Sequence, residues 1–178
     1  DARKAHLNAR CEKDEYIELP VECGSGEGLC GKLNFWLYGF RKAASAWEKH
    51  YGELFEKEGF EKGVACGVAF YHKERDISLT VHGDDFTFCG MDEDLRWIQR
   101  KMQEWYDVKV RGILGWGERD LKEISILGRM VRWTEKGLEY EADAKHRRML
   151  LEAFGFGPNS RTLKYNGDKE DKITEWDK

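Results

Sequence analysis

Two adjacent carboxylates, Asp84 and Asp85, interrupt an otherwise strand-like apolar stretch, LTVHGDDFTFCG from Leu79 to Gly90. Neighbouring side chains on a strand point to opposite faces, so a continuous strand would bury one of the two acids. A buried, unpaired carboxylate is costly. The sequence therefore predicts a hairpin in which Gly83 supplies the turn. Both acids then stand at the tip, where they can hold a cation.

The three letters GDD are not specific, and a plain Asx-rich turn is the alternative interpretation. A third carboxylate from another strand would favour the cation site. Sequence spacing alone does not identify which of the other acids that is.

A glycine-rich loop, Gly26 to Leu33, fits the pattern G-x-x-x-x-G-K of phosphate-binding loops. Leu33 stands where that loop carries the hydroxyl that holds Mg²⁺, and Glu27 would repel phosphate. We therefore interpret this stretch as a flexible connection and not as a nucleotide site.

Composition restricts the class of protein. The chain has 178 residues with 13% aromatics and seven Trp, which indicates a folded core. Charged residues make up 36% and the mean hydropathy is −0.74, so a membrane protein is not expected. Five cysteines without a CxxC pair predict neither a zinc site nor a disulfide framework. The net charge of −4 is compatible with an enzyme that grips nucleic acid locally around an acidic centre.

The elements that must position the acids follow from periodicity. Apolar residues at helical spacing predict a helix over Leu33–Glu58 that stops at Gly59, and a second over Asp92–Tyr106 with Asp92 or Asp94 near its N-cap. Helices and antiparallel strands in this order predict an α+β domain, an antiparallel sheet with helices packed on one face. The other predicted elements are an exposed strand at 14–20, strands at 63–72, 77–81 and 86–90, a strand pair at 123–133 and 137–143 joined by a turn, and a helix at 142–154.

One long block, Leu33 to Phe60, resembles the signature of copia-type retrotransposon reverse transcriptases, L-x-x-S-L-Y-G-L-K-Q-A-P-R-x-W followed by a helix ending in GF. Five other blocks resemble that family in the same order along the chain. They are DARKAHLN (family D-V-K-x-A-F-L-N), EYIELP (E-x-Y-M-x-Q-P), VHGDDFTFCG (Y-V-D-D-[IML]-[IL]-x-[AG]-[GS]), YDVKVRGILG (F-x-M-K-D-L-G) and ISILGRMV (F-L-G-I-E-I).

The chain also departs from the family pattern. Gly83 replaces a valine, which gives a GDD more typical of viral RNA polymerases. His6 stands at the aromatic position that faces the sugar and excludes the 2′-hydroxyl. Ala44 replaces a proline, and Arg41-Lys42 replaces Lys-Gln.

The resemblance implies a polymerase palm with a ferredoxin-like core, followed by the start of a thumb. It places the palm at 1–110, a primer-grip-like hairpin and the start of the thumb at 111–157, and a polar linker or tail at 158–178. We expect the chain to be a piece of a polyprotein whose fingers, ribonuclease H and integrase lie elsewhere. We also expect the piece to polymerise poorly without its fingers.

The resemblance further implies two-metal nucleotidyl transfer with two Mg²⁺ ions, for which Mn²⁺ can substitute. In it, Asp1 and Asp84 bridge the ions, Asp85 assists beside them, and the Ala2 carbonyl is a backbone ligand. The substrate-binding residues that it implies are Ala2, His6, Tyr38, Gly39, Arg41 and Lys109, and the primer grip is Leu127, Gly128 and Arg129.

The implied partners are an RNA template, a DNA primer or RNA–DNA hybrid and deoxynucleoside triphosphates, with no membrane. The implied location is the cytoplasm, within virus-like particles. Three alternatives stay open: an RNA-dependent RNA polymerase palm, a catalytically silent derivative that binds RNA or protein, and a metal-independent interaction domain. The basic cluster Lys145 to Arg148 is interpreted either as a contact with the duplex backbone or as an exposed helical face.

Overall fold

The structure, a computed structural model, describes residues 1–24, 28–141, 144–157 and Ser160. Residues 25–27, at the start of the glycine-rich loop, lie outside the described residues, and so does the predicted tail apart from Ser160. The chain divides into two compact units, Asp1–Arg111 and Gly112–Lys178.

Within the described residues, the first unit contains two antiparallel sheets and two α-helices. A two-stranded ribbon pairs Ile17 with Gly31. A four-stranded sheet runs in chain order, and every neighbouring pair in it is antiparallel. The elements are β1 (Tyr16–Glu18), β2 (Cys30–Lys32), α1 (Ala43–Lys57), β3 (Glu61–Lys62), β4 (Ala69–His72), β5 (Ile77–His82), β6 (Asp85–Cys89) and α2 (Asp92–Trp105).

The core lies on one face of the four-stranded sheet. In β5, Ile77, Leu79 and Val81 are buried, and the alternate residues are exposed. α1 and α2 contribute buried side chains to the same cluster, and the ring of Phe55 on α1 lies 5.6 Å from that of Phe70 on β4. The predicted α+β class with antiparallel sheets is confirmed.

The first helix is shorter than predicted, because α1 begins at Ala43 and not at Leu33. The preceding residues form backbone bonds with the start of the chain: the Trp36 amide donates to Ala9 O (3.0 Å). Gly39 then takes a φ of 92°, which interrupts any helix. The predicted stop is confirmed, since α1 ends at Lys57 and Gly59 has a φ of 97°.

One further sequence prediction needs correction. The strand predicted at 63–72 is limited to β4, because the Gly63 amide closes a turn on Ala69 O (2.8 Å).

The predicted start of α2 is confirmed. The N-cap of α2 is Met91, and Asp92 and Asp94 lie next to it in the first turn, where negative charge is favourable.

The second unit contains a three-stranded antiparallel sheet and one helix. The strand predicted at 123–133 is two strands, because Leu127 (φ 49°) and Gly128 (φ 77°) form a two-residue turn. Positive φ at both central residues is the requirement of a type I′ hairpin. The elements are β7 (Glu123–Ile126), β8 (Arg129–Thr134), β9 (Gly137–Tyr140) and α3 (Ala144–Ala153).

Candidate active site

The acidic hairpin forms as predicted. His82 pairs with Asp85 across β5 and β6, which leaves Gly83 and Asp84 as the turn residues. Gly83 has a φ of 64°, in the region that favours glycine. Asp84 is exposed and Asp85 is half-buried, so neither carboxylate enters the core.

The tip of the hairpin is anchored to α1 by Trp47. Its indole Nε1 donates a hydrogen bond to Gly83 O at 2.9 Å, and the side chain is 2% exposed. The same ring lies 5.0 Å from the ring of Tyr106 and 6.1 Å from that of Phe86. The turn that carries the two acids is therefore held by a packed aromatic cluster.

The first residues of the chain lie beside this tip. The Ala2 amide donates to Asp84 O at 2.8 Å, and Ala2 pairs in antiparallel fashion with Val108. The Lys109 amide donates to Asp1 O at 2.8 Å. The opening segment is thus held between the hairpin tip and residues 107–109, and Asp1 is brought next to the two hairpin acids.

Asp1 and Asp85 converge on one cation of the chain, Arg111. A terminal guanidinium nitrogen of Arg111 lies 2.9 Å from Asp85 Oδ1 and 3.9 Å from Asp1 Oδ2. All three side chains are partly exposed, at 44% for Arg111, 31% for Asp1 and 29% for Asp85. The site therefore pairs two carboxylates with one positive charge at a solvent-accessible position.

Sequence reasoning missed Arg111. A signal was present in the block YDVKVRGILG, because aligning it with F-x-M-K-D-L-G places Arg111 on the family's leucine. An arginine where the family pattern has an apolar residue indicates a candidate partner for an acid, although the sequence does not specify which one.

The donor set fits a divalent cation that substrate helps to bind. Mg²⁺ is commonly held by one or two carboxylates together with substrate phosphates and water. The convergent carboxylates of Asp1 and Asp85 supply such hard donors. Among the described residues, no group of three or more His, Cys, Asp or Glu side chains is arranged to hold a metal, so Asp84 does not complete a triad.

A second predicted pair, His6 and Tyr38, also comes together. The Cys11 amide donates to Asn34 O at 2.9 Å, which aligns the chain start with the residues before α1. The rings of His6 and Tyr38 then lie 4.2 Å apart at an angle of 42°. Tyr38 is 56% exposed, whereas His6 Nδ1 is buried and has no hydrogen-bond partner.

The other predicted site residues contribute in different ways. Gly39 is required by its φ of 92° and not by crowding, since a Cβ there would meet nothing within 4 Å. Arg41 and the side chain of Lys109 are exposed, and neither forms an ion pair within the described residues. Ala2 is fully buried.

The predicted primer-grip residues lie in the second unit. Leu127 and Gly128 form the β7–β8 turn, and Arg129 begins β8 with its guanidinium 5.3 Å from the ring centre of Tyr140. The basic cluster Lys145 to Arg148 lies on α3, where all four residues are exposed.

No protein-family model, curated protein or solved structure matches this chain. None of the helices in the described ranges combines the length and apolar character needed to cross a membrane.

Proposed function

We propose that this chain carries the palm of a copia-type reverse transcriptase, an RNA-directed DNA polymerase. The observation that supports this most is the convergence of Asp1 and Asp85 on Arg111. These two acids come from separate blocks of the resemblance, and both belong to the acids that the family uses for catalysis.

The contacts among the blocks support the same proposal. The first block bonds to the hairpin block through the Ala2 amide and Asp84 O, 2.8 Å apart. The signature block supplies Trp47, which bonds to Gly83 O. Three blocks that resemble the family independently in sequence thus meet around one pair of carboxylates.

The finer fold that we propose is the ferredoxin-like palm. If the two ribbon strands β1 and β2 and the strands β3 and β4 are set aside as insertions, the order of the remaining elements is β-α-β-β-α-β. In that order the first and last strands are the extended segments 1–3 and 107–109, which are joined by the Ala2–Val108 bridge. Residues 1–3 bond to the start of the β5–β6 hairpin on one side and to residues 107–109 on the other. We assign the residues from Gly112 onward to the end of the palm and the start of the thumb.

The resemblance implies Asp1 and Asp84 as the principal metal ligands, but in this proposal Asp1 and Asp85 would hold the Mg²⁺ ions, because these are the two acids that meet at Arg111. When bound, the ions would supply activation of the primer 3′-hydroxyl and stabilisation of the leaving pyrophosphate. The chain's own contribution is to hold the backbone of Asp1 and of the hairpin tip in place through bonds from the Lys109 and Ala2 amides. It thereby brings hard oxygen donors together before substrate arrives.

The substrate-binding residues surround these acids in the proposal. The exposed ring of Tyr38 offers a stacking surface for a nucleoside, and His6 lies against it. The exposed cations Arg41 and Lys109 are suited to phosphate groups of the template or the triphosphate. Template RNA, DNA primer and deoxynucleoside triphosphates are the proposed partners, and virus-like particles in the cytoplasm the proposed location.

One observation favours a second candidate, a catalytically silent derivative that binds RNA. Arg111 already neutralises the carboxylates of Asp85 and Asp1, at 2.9 and 3.9 Å. A site neutralised by its own chain has a weaker need for metal than an unpaired acidic pair.

Primer extension separates the candidates. The assay uses this chain joined to the fingers of its parent polyprotein, on RNA and DNA templates with deoxy- or ribonucleotides. Asp85→Asn removes one of the two carboxylate charges of the site. Asp76→Asn is the matched control, because it also removes one carboxylate charge, that of a side chain that accepts a hydrogen bond from the Tyr71 hydroxyl at 2.8 Å.

We expect deoxynucleotide extension that Asp85→Asn abolishes and Asp76→Asn retains. Extension with ribonucleotides only would establish an RNA polymerase instead. Absence of extension from a folded chain that still binds RNA would establish the silent derivative.

A further inference from the structure

Arg111 is placed as the counter-ion of a site that we propose to bind metal. Its guanidinium lies 2.9 Å from Asp85 and 3.9 Å from Asp1, and these are the two ion pairs that it forms in the described residues. Two carboxylates this close repel each other unless a cation lies between them. Arg111 supplies that cation in the absence of metal.

The exposed position of Arg111 favours its displacement by a metal ion over a permanent ion pair with the two acids. The side chain is 44% exposed, so solvent screens the ion pair and little free energy is lost when the guanidinium moves into water. The backbone bonds that hold Asp1 and the hairpin, Lys109 amide to Asp1 O and Ala2 amide to Asp84 O, do not involve Arg111. The backbone that carries these carboxylates therefore keeps its position when the guanidinium moves away.

We infer that Arg111 is a built-in competitor for the metal, an autoinhibitory contact that occupies the Asp1–Asp85 pair until a divalent cation displaces it. The inference rests on the proposed function, and it goes beyond it in assigning a role to a residue where the family pattern carries leucine. The chain consequently requires a higher concentration of metal than one with an apolar residue at this position.

The test is direct Mn²⁺ binding, followed by the loss of the electron paramagnetic resonance signal of free Mn²⁺ on the 178-residue chain. Five chains are compared: the unaltered chain, Arg111→Leu, Arg111→Lys, Arg75→Leu and Asp85→Asn. Arg75 is the matched control, since it pairs with Asp94 at 2.8 Å, is 39% exposed and follows β4, at the opposite end of β5 from the acids.

We expect Arg111→Leu to bind Mn²⁺ about tenfold more tightly than the unaltered chain, because a positive charge about 4 Å from the site is removed. Arg111→Lys keeps the charge, so its Kd stays within about threefold of the unaltered chain. Arg75→Leu leaves the Kd unchanged.

A second readout covers the metal-free chain. Arg111→Leu should lower the Tm of the unaltered chain, because it removes the ion pair with Asp85. In a chain that already carries Asp85→Asn this ion pair is absent, so adding Arg111→Leu should change the Tm less. This readout does not depend on metal binding or on activity.

Two outcomes would overturn the inference, and they are distinguishable. Equal Mn²⁺ affinity in the unaltered and Arg111→Leu chains, with binding lost in Asp85→Asn, would show a metal site with which Arg111 does not compete. Absence of any Mn²⁺ binding that depends on Asp85, in all chains, would overturn both the inference and the proposed metal centre.

Discussion

The indole Nε1 of Trp47 donates a hydrogen bond to the carbonyl oxygen of Gly83 at 2.9 Å, which joins the buried face of α1 to the tip of the acidic hairpin. The bond satisfies a carbonyl at a tight turn, where the β ladder offers it no partner. It links core packing directly to the position of Asp84 and Asp85.

Trp47→Phe tests this link. The substitution removes the hydrogen bond and some buried volume, so we expect the free energy of unfolding to fall by about 2 kcal/mol. Trp36→Phe is the volume-matched control, because Trp36 is 5% exposed and its indole donates no hydrogen bond within the described residues. We expect it to cost about 1 kcal/mol less. Urea unfolding of both variants measures the difference, and equal losses would contradict a role for the bond.

Buried tyrosines make the first unit sensitive to alkali. Burial raises the pKa of Tyr51 from 10.0 to about 12, and it also raises the pKa of Tyr106. Because the folded pKa lies above the unfolded one, the stabilisation is complete below pH 10 and is lost as the pH rises through the folded pKa. We expect the free energy of unfolding to fall between pH 10 and about 12.

Tyr106→Phe separates this effect from general alkaline damage. The Tyr106 hydroxyl is buried without a hydrogen-bond partner, so its removal should raise the stability at neutral pH by about 1 kcal/mol. The alkaline loss should also be smaller in the variant. Chemical denaturation at pH 7 and at pH 11 measures both, and a variant as alkali-sensitive as the unaltered chain would refute the assignment.

Leu127, in the turn between β7 and β8, has a strained backbone conformation that a substitution can relieve. Leu127 takes a φ of 49° in a two-residue turn, where a branched side chain is disfavoured and asparagine is common. Leu127→Asn should therefore raise the free energy of unfolding of the second unit by about 1 kcal/mol. The exposed Leu138→Asn on β9 should give no gain. Thermal unfolding by circular dichroism compares the two, and a lower Tm for Leu127→Asn would count against the turn assignment.

His6 should control the choice between deoxy- and ribonucleotides if the proposed function holds. Its ring lies 4.2 Å from the exposed ring of Tyr38, which is the proposed stacking surface. His6→Ala opens that side of the surface, so we expect the preference for deoxynucleotides to fall about tenfold. His6→Phe keeps a planar ring and should retain the preference. Relative kcat/KM values for the two nucleotide types measure it, and an unchanged ratio in His6→Ala would exclude this role.

The acidic hairpin was predictable because its determinants are local. Alternating apolar residues, a glycine and two adjacent acids are sufficient to place the turn within residues 82–85. The structure limits the turn to Gly83 and Asp84, because His82 and Asp85 pair as the last residues of the two strands. The helical face of Trp47, Tyr51 and Phe55 was predictable for the same reason, and all three are buried.

The start of α1 was not predictable from periodicity. Residues 33–42 have apolar spacing that suits a helix, but the bond from the Trp36 amide to Ala9 O draws them towards the start of the chain. Tertiary pairing therefore overrides the local pattern. The Leu127–Gly128 turn was hidden for a related reason, since a leucine in a left-handed conformation is not a turn signal.

The contact between Arg111 and Asp85 lay beyond what spacing can reveal. The two residues belong to different blocks, and only the fold brings the segment after α2 to the hairpin tip. The sequence contained the substitution of arginine for the family's leucine, but nothing in it specified which acid the guanidinium would reach.

The most direct test of the central claim is an anomalous difference map from crystals of this chain soaked in Mn²⁺. We expect a peak bonded to carboxylate oxygens of both Asp1 and Asp85, with the Arg111 guanidinium moved away from them. An unchanged Arg111–Asp85 pair with no peak at these carboxylates, at a Mn²⁺ concentration that saturates exposed acidic sites, would contradict it.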